Sequence, residues 1–231
     1  MRIVHIFRAP LGGLFRHVRE LAAEQAAAGH DVGLICDATT GGAMAAELLD
    51  GLRPTLALGV HRLPMPRLPS PADLAALSAI NGILAGMRPD IVHGHGAKGG
   101  LHARLAARRH GARAVYTAHG GSLHYSWRSP AGAVYLTTER MLLRRTDGIV
   151  FVCDFERRAF ESRIGALPCP WRVVHNGLPS CEFRHVPPAP DAADVLFIGE
   201  LRRLKGVDVL LAALARLRAE GRNLRAVIVG D

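Results

Sequence analysis

Short apolar runs alternate with segments of helical periodicity along most of this chain, and that alternation limits the folds open to it. The runs predicted as strands are residues 2–7, 31–36, 55–63, 90–93, 113–119, 147–153 and 171–177. Helices are predicted at 14–28, 42–51, 71–87, 97–110, 131–146 and 154–164. Such alternation is typical of βαβ units, whose parallel strands form a sheet covered by helices on both faces. We therefore predict an α/β fold built on a parallel sheet.

A proline-rich segment at 184–194 interrupts this pattern and is predicted to be a linker. A further strand, helix and strand follow it, but one βαβ unit of roughly 40 residues buries too little surface to form an independent domain. We therefore expect a first domain at 1–183, a linker at 184–194, and at 195–231 the first βαβ unit of an incomplete second domain. On this interpretation the chain is a fragment of a longer protein.

The charge and cysteine content exclude several classes of function. The formal net charge is +9, but only Lys98 and Lys205 are lysines, and no basic patch carries interleaved aromatic residues, so a nucleic-acid partner is not expected. Four cysteines without a Cys-x-x-Cys pair indicate a reduced protein of the cytoplasm. No apolar run approaches the length of a membrane-spanning helix.

The segment DIVHGHGAKGG, residues 90–100, contains Gly94, Gly96 and Gly99 at the spacing of a dinucleotide-binding loop. That site also requires an acidic residue about 20 positions later, to bind the ribose hydroxyls. No Asp or Glu occurs between Asp90 and Glu139. We therefore do not expect a nicotinamide cofactor, and we predict that the glycines let the strand turn tightly into the next helix.

The same segment offers His93 and His95, which point to one face of a strand and could bind a metal ion. No carboxylate or thiolate lies close by in the sequence to complete such a site. No metal is therefore predicted, although a ligand distant in sequence stays an open alternative.

The acid-free interval between Asp90 and Glu139 carries cationic side chains near the carboxyl ends of predicted strands, where open α/β sheets bind ligands. Helix N-termini at that edge also attract anions, so an anionic substrate, above all a phosphate compound, is expected. For Arg104, Arg108 and Arg109 we expect a solvated helix face.

Several segments, taken in order, resemble glycosyltransferase family 4, whose members have the GT-B architecture. They are GGLFRHVRELAAEQAAAGHDVGLI (12–35), PDIVHGHGAKGGLHARLAA (89–107), YTAHGG (116–121), VVHNGL (173–178) and FIGELRRLKGVDVLLAAL (197–214). The resemblance implies two Rossmann-like domains, the first binding mainly the acceptor and the second a nucleotide-diphosphate sugar. It further implies transfer of the sugar with retention at the anomeric carbon, without a metal or other cofactor.

The resemblance also assigns roles to residues of the first domain. Gly12 and Gly13 correspond to a loop whose backbone approaches the donor phosphate or the acceptor; the alternative is a plain turn. His119 corresponds to the histidine that faces the transferred sugar, and the alternative is a structural histidine. His95 and Lys98 are candidate contacts on the acceptor side.

In the second domain, Lys205 corresponds to the family lysine that binds the donor diphosphate. This chain departs from the family at Glu200, where an arginine is usual, and we expect Arg202 to take over that charge-neutralising role. The family's acidic motif would lie beyond Asp231, so transfer by these residues alone is not expected.

The resemblance implies a glycan or lipid-linked acceptor and a role in cell-envelope or exopolysaccharide synthesis. Localisation in the cytoplasm follows, with or without association with the inner face of the membrane. Residues 133–145 could lie on a membrane surface, but a core-facing helix with a basic end is preferred. A non-catalytic acceptor- or phosphate-binding module is the alternative function, and a nicotinamide-dependent oxidoreductase ranks third.

Overall fold

The computed structural model describes residues 1–230, which form parallel β-sheets with intervening helices. The strands are β1 (Arg2–Phe7), β2 (Asp31–Asp37), β3 (Gly59–Leu63), β4 (Ile91–His95), β5 (Arg113–Thr117), β6 (Gly148–Phe151), β7 (Trp171–Val173), β8 (Val195–Ile198) and β9 (Ala226–Val229). The α-helices are α1 (Gly12–Ala27), α2 (Gly42–Leu52), α3 (Ala72–Met87), α4 (Gly96–Ala106), α5 (Pro130–Leu142), α6 (Asp154–Ile164) and α7 (Val207–Ala219).

The larger sheet has seven parallel strands in the order β3-β2-β1-β4-β5-β6-β7. The chain first extends the sheet from β1 towards β3 and then returns to add β4 on the opposite side of β1. The predicted α/β, Rossmann-like class is confirmed. The reversal places a crevice at the carboxyl ends of β1 and β4, the position at which such sheets bind ligands.

Alternating side chains of the central strands pack on opposite faces of the sheet. Val4 and Ile6 belong to an apolar cluster with residues of α3 and α4, whereas Phe7 packs with residues of α1 and α2. A third cluster joins β5 and β6 to α5 and α6. Because both faces are covered, the strands read as nearly continuous apolar runs, as parallel strands do.

Helix α4 packs closely against β1 and β4, because glycines of α4 and of β4 lie at the contact. A Cβ atom on Gly99 would collide with the carbonyl oxygen of Ile6, and one on Gly94 would lie 2.6 Å from the Cα of Gly100. Gly96 has φ +67°, a conformation that favours glycine, where β4 turns into α4. The Gly-x-Gly-x-x-Gly spacing thus serves the turn that we predicted and also the packing of α4 against β1.

Several predicted strand boundaries are wrong by two to four residues. The strand predicted from 55 begins at Gly59, because Arg53–Thr55 form a 3₁₀ turn that continues α2. The strand predicted to 119 ends at Thr117, because His119 adopts a left-handed conformation. The strand predicted to 177 ends at Val173.

The chain divides into two compact units, Met1–Gly177 and Leu178–Asp231. The first unit contains the seven-stranded sheet and the three apolar clusters. The second contains β8, α7 and β9, and none of its described residues is buried. Residues 184–194 form neither helix nor strand, and the domain limits drawn from the sequence stay a prediction. Within residues 1–230, no helix combines the length and apolar character needed to cross a membrane.

Candidate functional site

The candidate site lies at the carboxyl edge of β1, β4 and β5. Gly12 begins the helix that follows β1, His95 ends β4, and His119 follows β5 by two residues. Gly12 has φ +70°, and a Cβ atom on Gly12 or Gly13 would meet nothing within 4 Å. The turn therefore accounts for glycine at position 12, whereas no steric contact in the first unit requires it at position 13.

His119 is held in a conformation that non-glycine residues rarely adopt. Its φ is +48°, and the glycines after it, Gly120 and Gly121, also have positive φ. The buried carboxylate of Glu156 fixes this loop, since it accepts hydrogen bonds from the backbone N–H of Gly120 at 2.6 Å and of Val152 at 2.9 Å. A left-handed residue costs about 1–2 kcal/mol, so the fold uses part of its stability to present the imidazole at this edge.

Five histidines meet behind and beside this loop: His5, His17, His93, His95 and His119. The parallel register places His5 beside His93, and the rings of His93 and His95 are 4.0 Å apart. Sequence reasoning did not select His5 or His17. No signal in the sequence selects them, because the proximity of His5 to His93 depends on the register of β1 with β4.

Two overlapping sets of three histidines have the proximity that a metal site needs. One donor nitrogen from each of His5, His93 and His95 lies within 4.8 Å of the others, and the same holds for His17, His95 and His119. Imidazole nitrogens suit zinc and related ions. The fold therefore supplies ligands that are distant in sequence from His93 and His95, as the open alternative required.

Burial keeps these imidazoles in the neutral form near pH 7. Desolvation lowers the pKa of His5 and of His119 to about 4, and it holds the pKa of His93 and His95 well below the usual range. The pKa of His17 is lowered by the same cause. A neutral imidazole offers one donor and one acceptor, so the cluster can form hydrogen bonds in series.

A cavity of about 430 Å³ adjoins His95 and His119 and is formed within the first unit. Apolar side chains that line it include Leu11, Leu14, Leu68, Leu101 and Val134. Arg8 and Arg67 also line it, and within the described residues neither forms an ion pair. The cavity therefore combines an apolar wall with cationic groups that have no counterion from residues 1–230.

Lys98 lines the same cavity, but its ammonium group is already engaged. It donates to both carboxylate oxygens of Asp73, at 2.7 and 2.9 Å, and to the carbonyl oxygen of Leu68 at 3.3 Å. Both side chains of this ion pair are largely buried. The structure thus places Lys98 at the cavity, as one end of a bridge between α3 and α4, and its contact with an acceptor stays a prediction.

The expectation that Arg104, Arg108 and Arg109 form a solvated helix face is wrong for Arg104. Arg108 and Arg109 are exposed, as expected, but Arg104 is fully buried. Its Nη2 donates to Glu139 of α5 at 2.7 Å, and its guanidinium lies 3.9 Å from the ring centre of Tyr116. The partner is 35 residues away in sequence, so the helical pattern of α4 alone gave no indication of the pair.

Helix α5 faces the core, as preferred from the sequence. Its residues Leu136, Glu139 and Leu142 are buried, whereas Val134 and Met141 are exposed. The cavity lining includes residues of this helix.

The two predicted donor-binding cations lie in the second unit. Arg202 is exposed, and its Nη1 donates to the carboxylate of Glu200 at 3.0 Å. Lys205 is exposed at the end of a short 3₁₀ turn, Arg203–Lys205, that precedes α7. The salt bridge with Glu200 partly neutralises the arginine that was expected to replace the usual family residue, and both roles stay predictions.

Comparison with known proteins gives the site a family context. The family model described as Glycosyltransferase Family 4 matches residues 11–180. The D-inositol 3-phosphate glycosyltransferase of Streptomyces bingchenggensis is 30% identical over 244 aligned positions, covering 94% of this chain and 52% of that protein. The glycogen synthase of Mycobacterium tuberculosis is 27% identical over 246 positions, covering 96% of this chain and 58% of that protein.

Among solved structures, HepE of Anabaena in complex with UDP and glucose superimposes with a TM-score of 0.70 at 17% identity. The match covers all of this chain and 61% of that one. At such identity the likeness concerns the fold alone. The chain spans about half the length of the curated relatives that it matches.

Proposed function

The chain belongs to glycosyltransferase family 4, and from that membership we propose that it forms the acceptor-binding part, with the opening of the donor-binding part, of a retaining glycosyltransferase. The reaction would move a sugar from a nucleotide-diphosphate sugar to a glycan or lipid-linked acceptor. The carboxyl edge of β1, β4 and β5, with His119 fixed beside the cavity, is the observation that carries this proposal.

The proposed role of this edge is to receive the transferred sugar and the acceptor hydroxyl. Gly12 and Gly13 leave the backbone at the start of α1 open to a ligand, because no neighbouring atom fills the space of a Cβ. His119 presents a neutral imidazole that can exchange a hydrogen bond with a sugar hydroxyl. His95, which lines the cavity from the end of β4, supports that imidazole from behind.

The lining of the cavity favours an acceptor with an apolar part and an anionic group. Apolar side chains such as Leu14 and Leu101 would bury the first, while Arg8 and Arg67 would bind the second. A lipid-linked acceptor with a phosphate group meets both requirements. Synthesis of cell-envelope or exopolysaccharide material, in the cytoplasm or at the inner face of the membrane, is the corresponding setting.

On the donor side, the proposal assigns the diphosphate to Lys205 and Arg202. Their cationic groups would stabilise the charge that develops on the leaving diphosphate, and so no metal ion is needed for that step. The salt bridge of Arg202 with Glu200 would have to open first.

Isothermal titration of the 231-residue chain with UDP-glucose, GDP-mannose and NAD tests the proposal. We expect saturable heat from at least one nucleotide sugar, with a dissociation constant on the order of millimolar, and none from NAD. Lys205→Gln should weaken sugar-nucleotide binding several-fold, because it removes a charge-assisted hydrogen bond. Arg203→Gln, a change of one exposed charge two residues away, is the matched control.

Two results would contradict the proposal. One is binding of NAD in preference to both nucleotide sugars. The other is equal loss of affinity in Lys205→Gln and Arg203→Gln, which would indicate a general effect of charge and no diphosphate site.

A further inference from the structure

Four side chains form an unbranched series of hydrogen bonds that runs from α1, along the face of the sheet that α1 covers, to the candidate site. The Oε1 of Gln25 lies 2.7 Å from Nε2 of His5, and Nδ1 of His5 lies 2.9 Å from Nε2 of His95. Nδ1 of His95 lies 3.1 Å from Nε2 of His119. His5 and His95 are buried, so water does not compete for their ring nitrogens.

The chemistry of its first member gives this series a direction. An amide oxygen can only accept, so the nitrogen of His5 that faces Gln25 must carry the proton. A neutral imidazole then has a lone pair on its other nitrogen, which must accept from His95. In the same way, Nδ1 of His95 has the lone pair and must accept from the protonated Nε2 of His119. Nδ1 of His119 is therefore unprotonated.

We propose that Gln25, His5 and His95 are positioning residues that fix His119 as its Nε2–H tautomer, with the Nδ1 lone pair presented at the cavity. Within the described residues, Nδ1 of His119 has no hydrogen-bond partner. His119 lines the cavity, and its backbone is fixed by the left-handed turn and by Glu156.

A defined tautomer limits what His119 can bind. A lone pair accepts from a hydroxyl or an amine, whereas it repels the oxygens of a phosphate. His119 would therefore accept a hydrogen bond from a hydroxyl group of the sugar or of the acceptor and would not contact the donor diphosphate. The tautomer itself is independent of the proposed function; only its use toward a sugar hydroxyl rests on that function.

The remaining histidines of the cluster do not interrupt the series. Nε2 of His93 pairs with the hydroxyl of Thr117 at 2.9 Å. His17 contacts the rings of His95 and His119 edge-on. A metal ion held by either set of three histidines is the competing arrangement. His95 belongs to both sets and uses both ring nitrogens in the series, so binding a metal would break one of its two hydrogen bonds.

Nitrogen-15 NMR of the histidine-labelled 231-residue chain at neutral pH tests the proposal, because protonated and unprotonated ring nitrogens have well-separated shifts. We expect a protonated Nε2 and an unprotonated Nδ1 in His5, His95 and His119. Gln25→Met removes the amide oxygen at nearly constant side-chain length. It should lower the ratio of the Nε2–H to the Nδ1–H tautomer of His119 by about 2- to 10-fold, the factor that one hydrogen bond provides. Glu24→Gln, an exposed change on the same helix, should leave the ratio unaltered.

A protonated Nδ1 on His119 would overturn the proposal, since the series would then run in the opposite direction. An unaltered tautomer ratio in Gln25→Met would overturn the role of Gln25. About one equivalent of zinc in the purified chain, lost in His17→Gln or in His93→Gln, would show that a metal arrangement is the resting state and would also overturn the proposal.

Addition of a saturating nucleotide sugar separates this inference from the proposed function. A shift of Nδ1 of His119 on binding supports the use of its lone pair toward a hydroxyl. An unshifted Nδ1 with bound sugar contradicts that use but leaves the tautomer standing, whereas absence of binding contradicts the proposed function alone.

Discussion

Replacing Arg104 by methionine removes the cation from the buried pair that joins α4 to α5. Glu139 would keep the hydrogen bonds from the hydroxyl groups of Tyr116, at 2.9 Å, and Ser122, at 3.1 Å. It would lose the guanidinium donor at 2.7 Å, which among residues 1–230 is the only positive charge within hydrogen-bond distance. Glu139 is only 3% exposed, so its carboxylate gains little solvation from bulk water in exchange for the lost partner.

The size of the effect follows from that uncompensated charge. Removing one partner of a buried ion pair costs about 3–5 kcal/mol, a large part of a domain's total stability of about 5–15 kcal/mol. The double variant Arg104→Met with Glu139→Gln buries no charge and should lie within about 2 kcal/mol of the parent chain. The contact of Arg104 with the ring of Tyr116 is lost in both variants, so it cancels from their comparison.

Urea unfolding followed by tryptophan fluorescence suits this measurement. The two tryptophans, Trp127 and Trp171, both lie in the first unit, so the signal reports on that unit. Arg109→Met changes an exposed arginine just beyond α4 and should alter the unfolding free energy by about 0.5 kcal/mol or less. The reasoning is refuted if Arg104→Met costs less than about 1 kcal/mol, or if the double variant is as unstable as the single one.

Three further predictions concern stability and reactivity. Lowering the pH from 7 to 5 should destabilise the first unit, because burial lowers the pKa of His5 and of His102 to about 4 in the folded state, while unfolded histidines bind protons below about 6.5. Each of these two histidines should then lower the free energy of unfolding by about 2 kcal/mol between pH 7 and pH 5. Urea titrations of His102→Gln at both pH values should show a correspondingly smaller decrease, and an unchanged decrease would count against this explanation. Gly99→Ala should lower the free energy of unfolding by about 1–3 kcal/mol or more in the same assay, because the new Cβ would collide with the backbone of β1. Gly82→Ala, which has open space around it, should not destabilise the chain. Burial raises the pKa of the Cys36 thiol to about 12, so iodoacetamide should modify Cys36 only after unfolding, as peptide mass spectrometry can check, and rapid native labelling would contradict it.

The order of strands and helices could be predicted from the sequence, since each element has its own hydrophobic period. Strand β4 and the turn at Gly96 show this well, because an apolar run followed by glycines has few other solutions. Predicted strand ends were wrong where the backbone adopts a local conformation that the hydrophobic pattern does not encode, as at the left-handed His119.

Contacts between distant segments were beyond such reasoning. Arg104 was expected to be solvated because it lies in one stretch with Arg108 and Arg109, and the carboxylate with which it pairs comes from another helix, α5. His95 and His119 could be selected from their own segments. Their link to His5 and Gln25 depends on the register of β1 with β4 and on the packing of α1, which only the folded chain defines.

The central position of β1 also affects how the chain folds during its synthesis. One native neighbour of β1, the strand β2, is synthesised soon after it, but the other neighbour, β4, ends only at His95. At about 5–20 residues per second, a ribosome needs roughly 4–18 s to extend the chain from Phe7 to His95. During that interval one edge of the future sheet centre has no native partner, and an unpaired edge of apolar strand readily joins other chains. Nascent chains that pause before β4 is complete are therefore the ones most exposed to misassembly, and faster translation through α3 and β4 should raise the yield of folded protein.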